Sequence, residues 1–211
     1  MSIIIAGLGN PGEQYEGTRH NTGRIMLTAF AKAIGAEDFS FNKKINALTA
    51  EGVVGAGKKA EKVTLVMPET FMNNSGKAIG PLVTTAGAAG TKPNLKKAEQ
   101  LIVIYDDFNL PLGSLRVSFN RSSGGHNGLE SVIKAAKTEA FVRVRVGVSQ
   151  ANAKGVAKVP HGEKEIEKFI LSPFKPAEAT ELKKVAKLVT EAIELIILES
   201  REKAMSIMNG K

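Results

Sequence analysis

The order of hydrophobic and polar positions along the chain predicts strands and helices in turn. Helical periodicity covers 23–34, 75–85, 128–137 and 164–171, and a last helix begins after Pro176. Apolar or alternating runs typical of strands cover Ser2 to Ala6, Ile45 to Val54, Val63 to Met67, Leu101 to Asp106, Leu115 to Phe119 and Val142 to Val148. Strands that alternate with helices predict an α/β fold, with a mixed, mostly parallel, twisted sheet and helices on both faces.

The C-terminal part of this pattern is a long amphipathic helix. Its apolar positions fall on roughly one face and its lysines on the opposite one: Leu182, Val185, Leu188, Ile193 and Ile196 against Lys183, Lys184 and Lys187. The segment Gly87 to Lys97 is the best candidate for a mobile surface loop. The chain shows no repeat, long linker or low-complexity tail, so a length of 211 residues suits one domain covering 1–211.

Composition narrows the class of protein. An apolar fraction of 43% is ordinary for a soluble globular chain. The absence of cysteine excludes a disulfide framework, thiol catalysis and thiolate zinc sites, and it fits a reducing cytosol. The first apolar run, Ile3 to Ala6, is too short for a signal peptide and has no basic flank, and no other stretch is long enough to span a membrane. A cytoplasmic protein is expected.

The net charge of +8 favours a polyanionic partner, and nucleic acid is the usual one. The basic residues are spread along the chain, so a generally basic protein without such a partner is the alternative. Stacking on bases looks limited, because the chain has no Trp and two Tyr. Binding through phosphates is therefore more plausible than reading of a base sequence.

Gly7, Gly9 and Gly12 spell G-x-G-x-x-G directly after the first strand, which is the pattern of a dinucleotide site. The context argues against that reading, because Pro11 stands where a helix should begin and no helical periodicity follows. A dinucleotide site also needs an acidic residue at the end of the second strand. The residues at the matching distance, Glu37 and Asp38, lie instead at the end of a predicted helix. The glycines are better explained by a tight turn that exposes Asn10 and His20.

Acid–base chemistry can come from few residues, because the chain has three His and three Asp. Asp106 and Asp107 end an apolar strand, and ligand sites in α/β sheets lie beyond the carboxyl ends of strands. A carboxylate that accepts the proton of one imidazole nitrogen makes the other nitrogen a better base, so His20 beside Asp106 could activate water. The alternative is a solvated or structurally bonded side chain, which is the expected role of His161.

Polar segments follow four strand ends, and they would converge on one cleft if the strands are neighbours. Asn10, Asn73 and Asn127 lie in these segments, and each also has a structural explanation. Asn10 before Pro11 suits a turn, Asn127 suits a helix N-cap with Glu130, and Asn73 could cap the helix after Met72. Amides would nevertheless recognise a peptide well, because each offers a donor and an acceptor.

Four blocks in this order and spacing resemble the bacterial-type peptidyl-tRNA hydrolase family. They are GLGNPGEQYEGTRHNTG from Gly7, MPETFMNNSGKAI from Met67, YDDFNLPLG from Tyr105 and GGHNGLESVI from Gly124. The RVRVGV strand and the FILSPF segment also match, so the resemblance covers essentially the whole chain. It implies a monomeric, cytoplasmic, single-domain hydrolase that needs no metal or cofactor and releases tRNA from peptidyl-tRNA.

The same resemblance implies roles for individual residues. His20 is the general base, Asp106 stabilises its active form, and Asn10 helps to distinguish a blocked aminoacyl group from a free one. The peptide and the 3′ end of tRNA would meet Tyr15, Phe71, Asn73 and Asn127, with Asn21 and His126 in support. Arg116 and Arg145 match positions that contact tRNA phosphates; without the resemblance they could equally be solvated charges on a strand face.

The chain departs from the family pattern in two places. Ser118 stands where a basic residue is usual, and Arg121 is a candidate to compensate for it. The segment 149–162 is longer than the common loop, and its Lys154 and Lys158 are candidates for contact with tRNA. Two other functions remain open: an RNA-binding module on the same fold without hydrolysis, and a nucleotide-dependent oxidoreductase.

Overall fold

Nine strands and seven α-helices make up the described part of the protein, which is residues 2–85 and 92–210 of a computed structural model. The strands are β1 (Ile3–Gly7), β2 (Ser40–Asn42), β3 (Ala47–Val54), β4 (Glu61–Pro68), β5 (Thr84–Thr85), β6 (Lys92–Pro93), β7 (Leu101–Pro111), β8 (Leu115–Phe119) and β9 (Val142–Ser149). The helices are α1 (Thr22–Ala33), α2 (Ser75–Val83), α3 (Leu95–Ala98), α4 (Asn127–Ala136), α5 (Glu163–Ile170), α6 (Pro176–Leu198) and α7 (Arg201–Met208).

Seven of the strands form one mixed sheet in the order β2-β3-β4-β1-β7-β9-β8. The four central strands, β4, β1, β7 and β9, are parallel, whereas β2, β3 and β8 pair antiparallel at the edges. Strands β5 and β6 form a separate two-stranded ribbon. The parallel centre puts the carboxyl ends of β4, β1 and β7 along one edge of the sheet, where ligand sites of such folds lie.

Helices cover both faces of the sheet, as the sequence predicts. On one face α1, α6 and α7 pack through residues such as Phe30, Val185 and Ala204 against Ile5 and Val144 of the strands. On the other face α2 and α4 pack against a second apolar cluster: Ile79, Leu129 and Val132 with Ala6, Val66 and Val103. Strands buried on both faces read as continuous apolar runs, which explains the VTLVM and LIVIY segments.

Several details of the secondary structure differ from the prediction. The helix predicted over 75–85 ends at Val83, and Thr84–Thr85 form β5. The helix that begins at Pro176 ends at Leu198, and a separate α7 starts after Ser200, whose Oγ accepts a hydrogen bond from Lys203 N. Strand β7 continues beyond Asp106 to Pro111, with an irregular register against β9 after Asp107. Of the predicted surface loop, 87–91 lie outside the described residues, whereas 92–97 contain β6 and the start of α3.

Glycines bring α1 unusually close to the sheet. A Cβ at Gly23 would lie 2.3 Å from the carbonyl oxygen of Ile104, and one at Gly7 would lie 2.5 Å from that of Gly23. The same approach lets Leu8 O accept a hydrogen bond from Arg24 N at 3.1 Å. The G-x-G pattern therefore serves helix–strand contact, and short 3-10 turns follow it instead of the helix that a dinucleotide site requires.

Within the described residues, no helix combines the length and the apolar character that crossing a membrane would need.

Candidate active site

His20 lies in the 3-10 turn Arg19–Asn21, which immediately precedes α1 and faces the end of β7. The Nδ1–H of His20 donates to Asp106, with both carboxylate oxygens 3.0 Å from the nitrogen. The two residues are 6% and 3% exposed, so the pair is largely shielded from solvent. This contact fixes the neutral ring as the tautomer with its proton on Nδ1, which leaves Nε2 free to accept a proton.

His126 approaches the same carboxylate from the other side. Its Nδ1 accepts a hydrogen bond from Leu129 N at 3.1 Å, so its proton is on Nε2, which donates to Asp106 Oδ1 at 3.1 Å. The ring also meets Tyr105 edge to face, with the ring centroids 4.8 Å apart. Asp106 is therefore held by two imidazoles, and His126 gives the carboxylate a fixed orientation toward His20.

The charges of this cluster set its proton affinities. Burial alone would lower the pKa of His20, but the charge of Asp106 and its hydrogen bond raise that pKa above the ordinary 6.5. For Asp106, burial alone would raise the pKa, but the two histidines and their hydrogen bonds hold it well below its usual range. Asp106 is thus a carboxylate at neutral pH, and His20 is a stronger base than a free imidazole.

The ligand atoms of His20, Asp106 and His126 lie within 4.8 Å of one another, which is close enough to consider a metal site. The hydrogen-bonding pattern explains the cluster more fully. The Leu129 N–H points at Nδ1 of His126 and forces a proton onto Nε2, toward the carboxylate. A proton there fits hydrogen bonding to Asp106 and not shared coordination of a cation.

Asn10 joins the loops that follow β1 and β4. Its side-chain Oδ1 accepts a hydrogen bond from Met72 N at 2.8 Å. Its backbone exchanges two bonds with the side chain of Asn21: Asn10 N donates to Oδ1 at 2.8 Å, and Asn21 Nδ2 donates to Asn10 O at 2.9 Å. Asn10 is buried, not exposed as the sequence suggests, and among the described residues no bond from its NH2 group is found.

A cavity of about 540 Å³ opens beside the imidazole of His20. One wall comes from β7 and the loop before α4, through Asp106, Phe108 and His126. Another part of the lining comes from α5, and it consists of Glu163, Ile166, Glu167 and Ile170. The base therefore lies at the edge of a space with room for a substrate group and a water molecule.

A second cavity of about 500 Å³ shares Asp106, Phe108, Gly124 and His126 with the first. Its lining is rich in arginine: Arg116, Arg121, Arg143 and Arg145. The antiparallel register of β8 and β9 puts Arg116 directly opposite Arg145. Like charges at opposed positions repel unless an anion neutralises them. Arg116 and Arg121 have no carboxylate partner among the described residues, so the cavity is suited to phosphate.

Only part of this positive charge is neutralised within the protein. Arg145 donates to Asp107 through Nε at 2.7 Å and Nη2 at 2.6 Å. Arg143 is fully buried, and burial lowers its pKa to about 10, so it stays charged at neutral pH. Its guanidinium donates to the carbonyls of Glu139, Phe141 and Arg121, whereas Nε has no partner among the described residues.

The other predicted site residues surround these two cavities unevenly. Asn127 lines the His20 cavity and also a groove of about 450 Å³ that contains Asn73. Phe71 is 60% exposed beside that groove's loop, and Tyr15 is half-buried in the turn Glu13–Tyr15. The four strand-end segments do converge, but five predicted residues line neither the His20 cavity nor the arginine-rich one: Asn10, Tyr15, Asn21, Phe71 and Asn73.

The structure corrects the predicted helix caps. The N-cap of α4 is His126, whose ring accepts the Leu129 N–H, and Asn127 is the first helical residue. At α2 the N-cap is Asn74, without a side-chain bond, and Asn73 Oδ1 accepts instead from Asn74 Nδ2. Neither Asn73 nor Asn127 is therefore needed as a cap, which leaves both amides available for a ligand.

Sequence reasoning missed two arginines near the site. Arg143 occurs in the quoted RVRVGV strand, where alternation gives no sign that its side chain is buried in the arginine-rich cavity. Arg19 precedes His20 and is buried by contacts with a segment far along the chain. The sequence offered one signal for both arginines, which was their place inside segments that match the family. Their contacts could not be predicted, because they join residues far apart in the chain.

Comparison with known proteins identifies the family. The family model described as peptidyl-tRNA hydrolase matches residues 4–211. A peptidyl-tRNA hydrolase of Thermoanaerobacter sp. (strain X514) is 37% identical over 98% of this chain and 99% of its own. That of Aquifex aeolicus (strain VF5) is 35% identical over 98% and 95%.

The fold has a solved counterpart as well. The crystal structure of peptidyl-tRNA hydrolase from Acinetobacter baumannii superposes with a TM-score of 0.80 at 22% identity, over 99% of this chain and 94% of that one. This likeness confirms the α/β fold, while the sequence matches extend along nearly the whole chain. The chain belongs to the peptidyl-tRNA hydrolase family.

Proposed function

We propose that this protein hydrolyses the ester between tRNA and a peptide or N-blocked aminoacyl group, with His20 as general base. The observation that supports the proposal best is the His20–Asp106 pair at 3.0 Å, at the edge of a cavity that adjoins an arginine-rich one. An ester of a polyanion requires these two features together: a base for water and a positive surface for phosphate.

The reaction balances with a single proton carrier. Nε2 of His20 takes a proton from water as the oxygen attacks the ester carbonyl carbon, and Asp106 stabilises the imidazolium that forms. The tetrahedral intermediate collapses when the bond from that carbon to the tRNA 3′-end oxygen breaks. The proton on Nε2 then passes to the leaving oxygen, which releases free tRNA and the peptide acid and restores neutral His20.

Amides would hold the acyl group and the developing negative charge. Asn127 lines the His20 cavity and shares a groove with Asn73, whereas Asn10 is buried in the loop after β1 and bonded to Met72 and Asn21. A donor placed where an oxyanion forms stabilises the transition state more than the ground state. Because Asn10 Oδ1 is fixed by Met72 N, its NH2 group has one orientation, which suits recognition of an amide-blocked substrate.

The most direct test is hydrolysis of N-acetylated aminoacyl-tRNA, with the unblocked form as comparison. We expect turnover of the blocked substrate and much slower turnover of the free one. Binding of tRNA without hydrolysis would favour the RNA-binding module instead, and saturable binding of NAD(H) would favour the oxidoreductase. We also propose that the protein acts in the cytosol, since its substrate arises in translation. We further propose that it acts as a monomer, as the resemblance to the family implies.

Asn10→Asp should weaken the selectivity for blocked substrates. The aspartate retains the acceptor for Met72 N but replaces the NH2 donor with an oxygen, so kcat/KM on the blocked substrate should fall by about tenfold or more. Its negative charge should also favour the free α-ammonium group, which lowers the ratio of kcat/KM between blocked and free substrates. Asn42→Asp on the edge strand β2 is the matched control, and an unchanged ratio in Asn10→Asp would remove Asn10 from recognition.

The salt dependence of tRNA affinity should show whether tRNA phosphates bind in the arginine-rich cavity. Arg116 and Arg121 are exposed at its rim, so Arg116→Gln and Arg121→Gln should each reduce the slope of log affinity for tRNA against log salt by about one. Lys187→Gln removes the same charge from α6, outside both cavities, and should leave the slope unchanged. Equal slopes in all three variants and the wild type would mean that tRNA does not bind there.

A further inference from the structure

Arg19 is 4% exposed and directly precedes His20, yet the chemistry above makes no use of its side chain. We propose that Arg19 is a positioning residue: its guanidinium ties the turn that carries His20 to the end of α5 and so sets the width of the catalytic cavity. The proposal rests on the function proposed above, in which His20 is the base.

The hydrogen bonds that the terminal nitrogens of Arg19 donate all go to the segment 172–178. Nη2 donates to both carboxylate oxygens of Glu178, at 3.0 and 2.8 Å. Nη1 donates to the carbonyls of Ser172 at 3.2 Å and Pro173 at 2.7 Å, and to Ser172 Oγ at 2.8 Å. The guanidinium also lies over the rings of Phe169 and Phe174, 4.7 and 5.1 Å from their centroids.

The backbone of the same turn makes a parallel set of contacts. Arg19 N donates to Ser172 O at 3.1 Å, and Phe174 N donates to Gly17 O at 3.0 Å. Thr18 and Pro173 form an isolated antiparallel bridge between these bonds. The turn before α1 and the segment after α5 are therefore joined over three residues, with the Arg19 side chain closing the joint.

Helix α5 depends on this joint for its position. It lines the same cavity as His20 through Ile166, Glu167 and Ile170, but none of its eight residues is buried. A helix with so little apolar burial of its own is held by its ends, and its C-terminal end runs directly into the residues that Arg19 binds. The Arg19 guanidinium therefore acts together with these backbone bonds to set the distance between the turn that carries His20 and α5.

The chemistry of the contact also favours positioning over simple stabilisation. Arg19 and Glu178 form a buried ion pair, with side chains 5% and 9% exposed. A buried pair of this kind is often no more stable than apolar side chains of similar volume, because both charges lose their hydration. A planar fork that engages a carboxylate and two carbonyls fixes direction as well as distance, which an apolar contact does not.

Two variants separate positioning from stability. Arg19→Lys keeps the charge but loses the fork. The double variant Arg19→Met with Glu178→Gln removes both charges, and the amide oxygen of the new side chain can still accept from Lys175 N, as Glu178 does at 2.7 Å. Arg201→Lys, in a surface pair with Glu202, is the matched control. Each variant is measured for Tm, for kcat and KM on N-acetylated aminoacyl-tRNA, and for amide hydrogen exchange across 163–170.

We expect kcat to fall about tenfold or more in Arg19→Lys and to stay low in the double variant even where Tm is restored. Amide exchange in α5 should accelerate at least about tenfold in both, while the central strands keep their protection. Recovery of kcat together with Tm, or unchanged exchange in α5, would overturn the proposal. Failure of the proposed function is distinguishable, because the variants would still show faster exchange in α5 than the wild type even if the wild type had no hydrolase activity.

Discussion

His20→Ala is expected to reduce kcat for N-acetylated aminoacyl-tRNA by about 10³-fold, in the range found when a general base is removed. The physical reason is that no other described side chain in the cavity has a free basic nitrogen. The proton on Nε2 of His126 points to Asp106, and its Nδ1 accepts from Leu129 N. Because the alanine leaves the arginine-rich cavity intact, the affinity for tRNA should change little.

His161→Ala is the matched control for this variant. His161 is exposed beyond β9 and lines neither the His20 cavity nor the arginine-rich one, so its removal should leave kcat unchanged. A second readout is tRNA binding by the His20→Ala protein, which should persist with the same salt dependence as in the wild type. Undiminished turnover by His20→Ala would remove this residue from the mechanism.

Asp106→Asn should lower kcat by about 10²- to 10⁴-fold, although the shape of the side chain is kept. Two imidazole N–H groups donate to the carboxylate, and an amide has one oxygen to receive them. Because Leu129 N fixes the tautomer of His126, the Nε2–H of His126 still needs the amide oxygen, and His20 is then left facing the amide NH2 group. When the amide NH2 faces Nδ1 of His20, the ring proton moves to Nε2, and the ring can no longer accept a proton from water.

The same variant should move the pH profile in a defined direction. The wild-type pKa of His20 is raised by Asp106, and the neutral ring is the active form, so activity is lost as pH falls through that raised value. Without the carboxylate the pKa of His20 should drop, and the acid limb of kcat/KM should shift to lower pH. Asp107→Asn is the control, since Asp107 pairs with Arg145 and not with an imidazole, and its acid limb should stay in place.

Much of the fold follows from the sequence because its central strands are buried on both faces and its longer helices on one. The run LIVIY predicts β7 without ambiguity, and Asp106 at its end marks the site. With three His and three Asp in the chain, few acid–base pairs are possible, and the resemblance to the family singles out His20 with Asp106. The structure brings the two side chains together as that argument requires.

Other features could not be predicted, for identifiable physical reasons. Strand β2 spans three largely exposed residues, Ser40–Asn42, which leave no apolar signature. The break between α6 and α7 depends on the Ser200 cap and not on a change of periodicity. The Arg19–Glu178 contact joins positions 159 residues apart, so local patterns carry no trace of it. Asn10 is buried because Met72 and Asn21 bond to it, a tertiary effect that overrides the preference of Asn-Pro for an exposed turn.

The central claim is that Asp106 holds the proton of the neutral His20 ring on Nδ1, which leaves Nε2 unprotonated, and that it raises the pKa of the ring. Titration of the His20 ring nitrogens by NMR, beside the pH dependence of kcat/KM, tests this most directly. We predict that the wild-type ring titrates above pH 6.5 with the proton of its neutral form on Nδ1, and that this pKa coincides with the acid limb of the rate. A ring that titrates below pH 6.5 would contradict this claim. So would an acid limb of kcat/KM whose midpoint differs from the pKa of the ring.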